Sequence, residues 1–338
     1  MKMKIVLDAM GGDDIPSVPV EGAVEAVRHL NKDFDVVLVG DEPLINNQLK
    51  AYPDLDRSRV EVVHASEVVK MGEAPSVAVR RKKDSSIAVG MGLMAGKQAQ
   101  AFISAGNTGA VMASSLRSLG RIGGISRPGI CSVLPTVKKP CVFLDVGANI
   151  DSKPIHLLHF GLMGAVYSEK VLGNSKPRVG LLNIGEEPSK GDELSVATHK
   201  LLSASSLNFI GNVEGGGIFE GVADVVVCDG FVGNVVLKLS EKIFSLIAGQ
   251  LRPRKKIDPF SALGFLMMKP AFKRLKKNFD YAEYGGAPLL GINGALIICH
   301  GGSSPRAICN AIKAARLAIL NDINGSIRNS VKNYNAES

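Results

Sequence analysis

The chain has no tryptophan and only five tyrosines in 338 residues. Cysteine is also scarce. Cys131, Cys141, Cys228, Cys299 and Cys309 are odd in number and scattered, with no CxxC pair and no Cys/His cluster. All but Cys309 sit inside apolar runs, as small buried hydrophobes do. This pattern speaks for a reducing compartment and against a disulfide frame or a zinc site. No run approaches the roughly 20 apolar residues that span a bilayer. The opening MKMKIVLDAMGG has too short an apolar run for a signal peptide, and Asp8 interrupts it. A cytoplasmic protein is expected, with any membrane contact made from that side.

Several chemical signatures are missing as well. There is no GxGxxG fingerprint, no Walker lysine loop, no GxSxG elbow and no HExxH pair. His64, His156 and His159 have no motif partner and read as structural. His300 also lacks one, but it ends a strand beside Gly301. No metal or cofactor is called for, and nothing points to nucleic acid.

What the chain does have is glycine, 37 residues of it, within an ordinary globular balance of 46% hydrophobic and 21% charged residues. Its net charge of +8 suits an anionic ligand, an acidic protein partner or an anionic membrane surface, and is equally common without any of these.

Short apolar runs alternate with helix-length amphipathic segments. The runs are 4–9, 35–40, 60–65, 101–105, 130–135, 141–146, 178–184, 208–210, 224–228 and 295–299. The helical candidates are 18–30, 86–97, 108–119, 155–172, 193–204, 233–251 and 305–321. Continuous apolar strands separated by helices predict a doubly wound, mostly parallel sheet covered on both faces. No linker divides the pattern, so residues 1–325 form one α/β domain, and the polar tail 326–338 is expected to fray.

One stretch breaks the rhythm. Residues 251–280 hold nine Lys/Arg and two Asp. Phe260, Leu263, Met267, Met268, Phe272 and Leu275 fall on one helical face, and Pro270 should kink it. This basic amphipathic excursion is a candidate membrane contact through Phe260, Leu263, Met267, Phe272 and Leu275. The competing reading packs it on the core or on a partner subunit.

Ligands of parallel α/β sheets bind beyond the carboxyl ends of strands. Those ends repeat one plan: strand, glycine, small polar residue, helix. They are Asp8 with Gly11 and Gly12; Gly106, Asn107, Thr108 and Gly109; Asp145 with Asn149; Asn183 with Gly185, Lys190 and Gly191; Asp229 with Gly230; and His300 with Gly301. Glycines free backbone amides to approach an anion, and helix N-termini favour negative charge. Taken together they predict one shared site for a phosphate-like anion.

These turns, with Arg80-Arg81-Lys82-Lys83-Asp84-Ser85-Ser86, Phe209-Ile210-Gly211-Asn212-Val213-Glu214 and Tyr284-Gly285-Gly286-Ala287, resemble the phosphate acyltransferase family of bacterial phospholipid synthesis over nearly the whole chain. The resemblance implies transfer of an acyl group from acyl carrier protein to inorganic phosphate. It implies a fold like that of phosphotransacetylases and isocitrate/isopropylmalate dehydrogenases, and a homodimer. It also implies delivery of product to a membrane-bound glycerol-3-phosphate acyltransferase. The family's catalytic lysine falls on Lys190 and its asparagine on Asn234. Glu187-Pro188-Ser189, just before Lys190, departs from the family pattern. The competing functions are a short-chain phosphotransacetylase, a dehydrogenase of the isopropylmalate type and a non-catalytic sensor. The second would need an Asp-x-x-x-Asp array that is not evident in the sequence.

Overall fold

The computed structural model describes residues 2–250, 267 and 268, and 285–337. All ten apolar runs become strands, with ends shifted by up to three residues, and an eleventh joins them. The strands are β1 (Met3–Asp8), β2 (Phe34–Gly40), β3 (Val60–His64), β4 (Ala101–Ser104), β5 (Gly129–Leu134), β6 (Cys141–Leu144), β7 (Val179–Leu182), β8 (Phe209–Val213), β9 (Val225–Val227), β10 (Ala287–Leu290) and β11 (Ala295–Ile298). They form one sheet in the order β3-β2-β1-β4-β11-β10-β5-β6-β9-β7-β8.

Two parallel halves meet at an antiparallel seam. In the first half, β3, β2, β1, β4 and β11 run one way. In the second, β6, β9, β7 and β8 are parallel to one another. The seam is β11–β10, β10–β5 and β5–β6, all antiparallel. Three reversals leave the second half pointing opposite to the first. The seam strand β10 is only Ala-Pro-Leu-Leu. Its first two residues pair with β11 and its last two with β5. Pro288 has no N–H to donate, so a short strand that changes partner suits it better than a long ladder.

Helices cover both faces, as the alternation predicts. They are α1 (Ser17–His29), α2 (Glu42–Leu49), α3 (Pro75–Arg81), α4 (Ser86–Ala95), α5 (Thr108–Ser118), α6 (Pro154–Lys170), α7 (Glu193–Ser203), α8 (Gly215–Glu220), α9 (Gly230–Gln250), α10 (Pro305–Leu320) and α11 (Ile323–Glu337). On one face a single apolar cluster runs across both halves, from Val6 and Phe102 to Phe143 and Val226. On the other face each half has its own core. Ile5, Phe34, Leu38 and Ile312 fill the first, and Leu144, Phe160, Leu162 and Val227 the second.

The tail corrects the sequence reading. Residues 326–337 do not fray but belong to α11. Ile323, Ile327 and Val331 are buried against the second core. Their i, i+4, i+8 spacing makes one narrow apolar stripe on an otherwise polar helix. Among the described residues, no helix is long and apolar enough to cross a membrane. The predicted excursion at 251–280 lies outside the described residues, apart from Met267 and Met268. Both are helical and exposed, Met267 by 76%. Phe260, Leu263, Phe272 and Leu275 are not among the described residues.

Candidate active site

Because the sheet reverses direction at its seam, the predicted turns separate into two groups. The carboxyl ends of β1, β4 and β11 face one way along the sheet, and those of β6, β9, β7 and β8 the other. The single shared cradle expected from the sequence is therefore two clusters, each with its own chemistry.

The first cluster is a knot of interlocked turns. Asp8 is 1% exposed. Its carboxylate accepts from Met10 N at 3.0 Å and from Ser104 Oγ at 2.7 Å. Burial pushes its pKa up, against the pull of the Ser104 and Ser86 hydroxyls. Gly106 N in turn donates to Ser104 Oγ at 3.0 Å. A methyl on Gly11 would sit 2.7 Å from both Asp8 Oδ2 and Gly106 N, so the two turns touch backbone to backbone. Beyond Gly12, Asp13 N donates to Gly301 O at 3.0 Å, and Gly302 N donates to His300 Nδ1 at 3.1 Å.

Asn107 is spent in the same way. Its Oδ1 caps α5 by accepting from Ala110 N at 2.9 Å. Its Nδ2 reaches the carbonyls of Lys70, Met71 and Glu73 at 3.0–3.3 Å. Gly109 lies against Pro75 of the same loop, and only Thr108 is exposed. Within the predicted cradle at 106–109, the Asn107 side chain is thus a loop clamp beside a buried carboxylate. Asn107→Asp keeps the cap but loses the Nδ2 hydrogen bonds to all three carbonyls. It is expected to lower stability by about 2 kcal/mol while leaving the KM for phosphate within roughly twofold. Chemical denaturation and steady-state kinetics check both, and a large rise in KM would restore the cradle.

The second cluster lies where β6, β9 and β7 end side by side. At about 4.8 Å per strand, β6 and β7 are roughly 10 Å apart. Asp145 is fully buried. Its Oδ1 accepts from the amides of Ile130, Gly147 and Ala148 at 2.9–3.2 Å. Its Oδ2 accepts from Asn149 N at 2.8 Å and Asn149 Nδ2 at 2.9 Å. Burial raises its pKa, and these donors oppose the rise. Asn149 Nδ2 also holds Pro128 O at 2.7 Å. Asp229 caps α9, accepting from Phe231 N and Val232 N at 2.9 and 3.0 Å. Its charge occupies the end of the helix dipole that an anion would use. Asp145, Asn149 and Asp229, predicted as ligands, therefore have their side chains engaged in building the edge.

Lys190 and Asn234 differ from them. Asn234 is exposed in the second turn of α9, next to Gly147, where a methyl would lie 3.6 Å from Asn234 Oδ1. Lys190 is exposed on the loop between β7 and α7. Neither the Lys190 ammonium nor the Asn234 carboxamide has a hydrogen-bond or ion-pair partner among the described residues. A free cation and a free amide donor stand on an edge whose other predicted polar side chains are engaged. Among the described residues, no group of three or more His, Cys, Asp or Glu is gathered to hold a metal. Ser104 and Asn183 stand within the strand-end turns and Asn212 within a family motif, but the sequence assigns none of them a role; the structure shows their side chains tying these turns together.

The histidines near this edge are structural. His159 Nδ1 accepts from Ser126 N at 3.2 Å. Burial, aided by His156, pushes its pKa down from 6.5 to about 4. The unfolded chain thus takes up a proton below 6.5 that the folded chain refuses until about 4. That part of the stability is present above this window and is lost as pH falls through it, roughly 2–3 kcal/mol in all. Urea denaturation at pH about 7 and about 4.5 should show this loss in the wild type and a smaller one in His159→Asn.

The seam-joined pair of parallel half-sheets is an α/β architecture of the phosphotransacetylase fold. Two solved phosphotransacetylases share that fold. The Streptococcus pyogenes structure matches at TM-score 0.60 and 18% identity, covering 96% of this chain and 94% of its own. The EutD phosphotransacetylase of Staphylococcus aureus matches at 0.59 and 16%, covering 94% of each chain. Residues 3–325 match the family described as "Fatty acid synthesis protein". The phosphate acyltransferase of Syntrophotalea carbinolica is 54% identical over 96% of this chain and 92% of its own length. That of Heliobacterium modesticaldum is 49% identical over 97% and 98%. The chain belongs to the phosphate acyltransferase family, and it is an acyltransferase that uses phosphate.

Proposed function

We propose that the enzyme moves a long-chain acyl group from acyl carrier protein to inorganic phosphate, giving acyl phosphate and the free carrier thiol. Phosphate is an anionic oxygen nucleophile at neutral pH, and a thioester has a good leaving group. The reaction therefore needs positioning and charge stabilisation more than a strong base. Lys190 neutralises the phosphate and Asn234 donates to the carbonyl oxygen. As the phosphate oxygen bonds to the carbonyl carbon, charge passes to that oxygen. It returns as the C–S bond breaks and the thiolate departs. The observation that carries the reading is that Lys190 and Asn234, on a hydrogen-bonded edge, have no side-chain partner among the described residues. Lys153 and Arg127 lie close enough to act on His156 and add positive charge near this edge.

The partners follow from charge and apolar exposure. Acyl carrier proteins are acidic, and Arg80, Arg81 and Lys83 are exposed on and after α3 with no ion pair among the described residues. Lys82, between them, is engaged by Glu73 at 2.5 Å and Val68 O at 2.6 Å. A second basic group of the sequence, Arg252, Arg254, Lys255 and Lys256, lies outside the described residues. Phe231, Val235, Leu239 and Leu246 form an exposed apolar stripe along α9, which supports a homodimer. Contact of 251–280 with an anionic membrane would bring the product to a membrane-bound glycerol-3-phosphate acyltransferase. The test is to incubate purified protein with long-chain acyl carrier protein and phosphate and trap the product with hydroxylamine. Phosphate-dependent hydroxamate supports the reading. Its absence, or a preference for acetyl-coenzyme A, refutes it.

A further inference from the structure

The loop that carries Lys190 is gripped at two points by carboxamides from two different strand ends. Asn183, just past β7, donates from Nδ2 to Lys190 O at 2.9 Å. Its Oδ1 accepts from Ile184 N at 2.8 Å, and its own N–H donates to Val213 O at 2.9 Å. Asn212, near the end of β8, donates from Nδ2 to Glu187 O at 2.8 Å. The same carbonyl accepts from Lys190 N at 3.0 Å. The peptide groups on both sides of the Lys190 Cα are therefore fixed, one directly and one through Glu187. Gly191 completes the grip. Its φ is +95°, and a methyl there would lie 2.5 Å from Asn183 Oδ1 and 2.7 Å from Ser195 Cβ. The chain can fold back against Asn183 only because this residue is glycine.

Two features set Asn212 apart from an ordinary strand residue. The β7–β8 register is Val179↔Phe209 but Leu181↔Asn212, so β8 carries one extra residue between these pairs. Gly211, at φ +96°, lies within that stretch. Bulges of this kind re-aim the following side chain and cluster near active sites. Asn212 is also 7% exposed, and its Oδ1 has no hydrogen-bond partner among the described residues. A buried acceptor without a donor is destabilising, and an apolar residue would avoid that penalty. Keeping the carboxamide makes sense if its Nδ2 is needed where the bulge directs it.

We propose that Asn183 and Asn212 are positioning residues, which hold the Lys190 main chain so that its ammonium meets the reacting phosphate. This rests on Lys190 acting at the phosphate. Asn183→Asp and Asn212→Asp keep the shape and remove the donor. A displacement of about 1 Å at a reacting group can cost roughly a hundredfold in rate. Each variant is therefore expected to lower kcat about tenfold to a hundredfold, with a melting temperature near that of the wild type. Amide hydrogen exchange at Lys190 N should speed up in Asn212→Asp. In a Lys190→Ala background, either change should give almost no further loss, because the group being positioned is gone. Full kcat in both Asp variants while Lys190→Ala is inactive would overturn the positioning role alone. The same fold loss with and without Lys190 would also overturn it, as it would mark a general structural effect. Full activity in Lys190→Ala would overturn the catalytic reading and this inference together. Asn183 is half-buried and Asn212 buried, so a folding failure at Asn212 leaves the Asn183 series to decide.

Discussion

Lys190→Ala is expected to lower kcat for acyl phosphate formation by roughly a hundredfold to a thousandfold, about 3–4 kcal/mol in the transition state. The argument is electrostatic. Two negative charges come together on the pathway, that of the phosphate and that developing on the carbonyl oxygen. Lys190 is an exposed cation without a partner among the described residues, on the edge that Asp145 and Asp229 help to build. Asp145 accepts five hydrogen bonds from N–H donors, and Asp229 accepts two at Oδ1 as the cap of α9. The cation is therefore free to meet the incoming anion. Removing it should leave the fold intact, since its side chain holds nothing in place. A melting temperature close to the wild type with a large fall in kcat is the expected pair of results. Activity within about threefold of the wild type would show that some other group carries the charge.

Gly233→Ala is expected to destabilise the protein by about 3 kcal/mol or more. The sign makes this prediction sharp. In an exposed helix, alanine is favoured over glycine by about 1 kcal/mol, so helix propensity alone forecasts a gain. Packing forecasts the reverse. The new methyl would sit 1.9 Å from Asp145 O, 3.0 Å from Asp145 C and 2.8 Å from Cys228 Sγ. Two of these atoms are backbone, held by a turn that Asp145 itself ties down with five hydrogen bonds. Gly230 is pressed in the same way, 2.4 Å from Asn149 O on the same measure. The first turn of α9 therefore lies directly on the 145–149 turn, and Asn234 follows at once. Activity should fall with stability. Guanidinium denaturation decides the matter, and a stabilised Gly233→Ala variant would disprove the close contact.

Ten strands were legible because they are continuous apolar runs with clear breaks. The eleventh, β10, was not, because four residues containing Pro288 carry too little pattern. That omission had consequences. Without β10 the sheet could be taken as uniformly parallel, with every carboxyl end on one side. The reversal at the seam is what separates the Asp8 and Asn107 turns from the Asp145 and Asn234 turns. Helix α11 was missed because Ile323, Ile327 and Val331 are only three apolar positions in a polar segment. The polar strand ends themselves were legible, but their roles were not. The partners of Asn107 lie 34 to 37 residues earlier in the chain, and Asp145 takes a donor from Ile130 on an adjacent, antiparallel strand. Asn212 was hidden more deeply, since only the bulge in β8 directs it to the Lys190 loop. Lys190 and Asn234 came from resemblance. What the geometry adds is that neither side chain has a partner among the described residues.

The most direct test follows the phosphate itself. Radiolabelled inorganic phosphate is mixed with long-chain acyl carrier protein and the purified enzyme, and the label is partitioned between water and organic solvent over a single turnover. The wild type should move label into a lipid-soluble product that hydroxylamine destroys, in step with release of carrier thiol, and Lys190→Ala should move almost none. Label that remains in inorganic phosphate while thiol is released would mean that water is the acceptor, and would contradict the account.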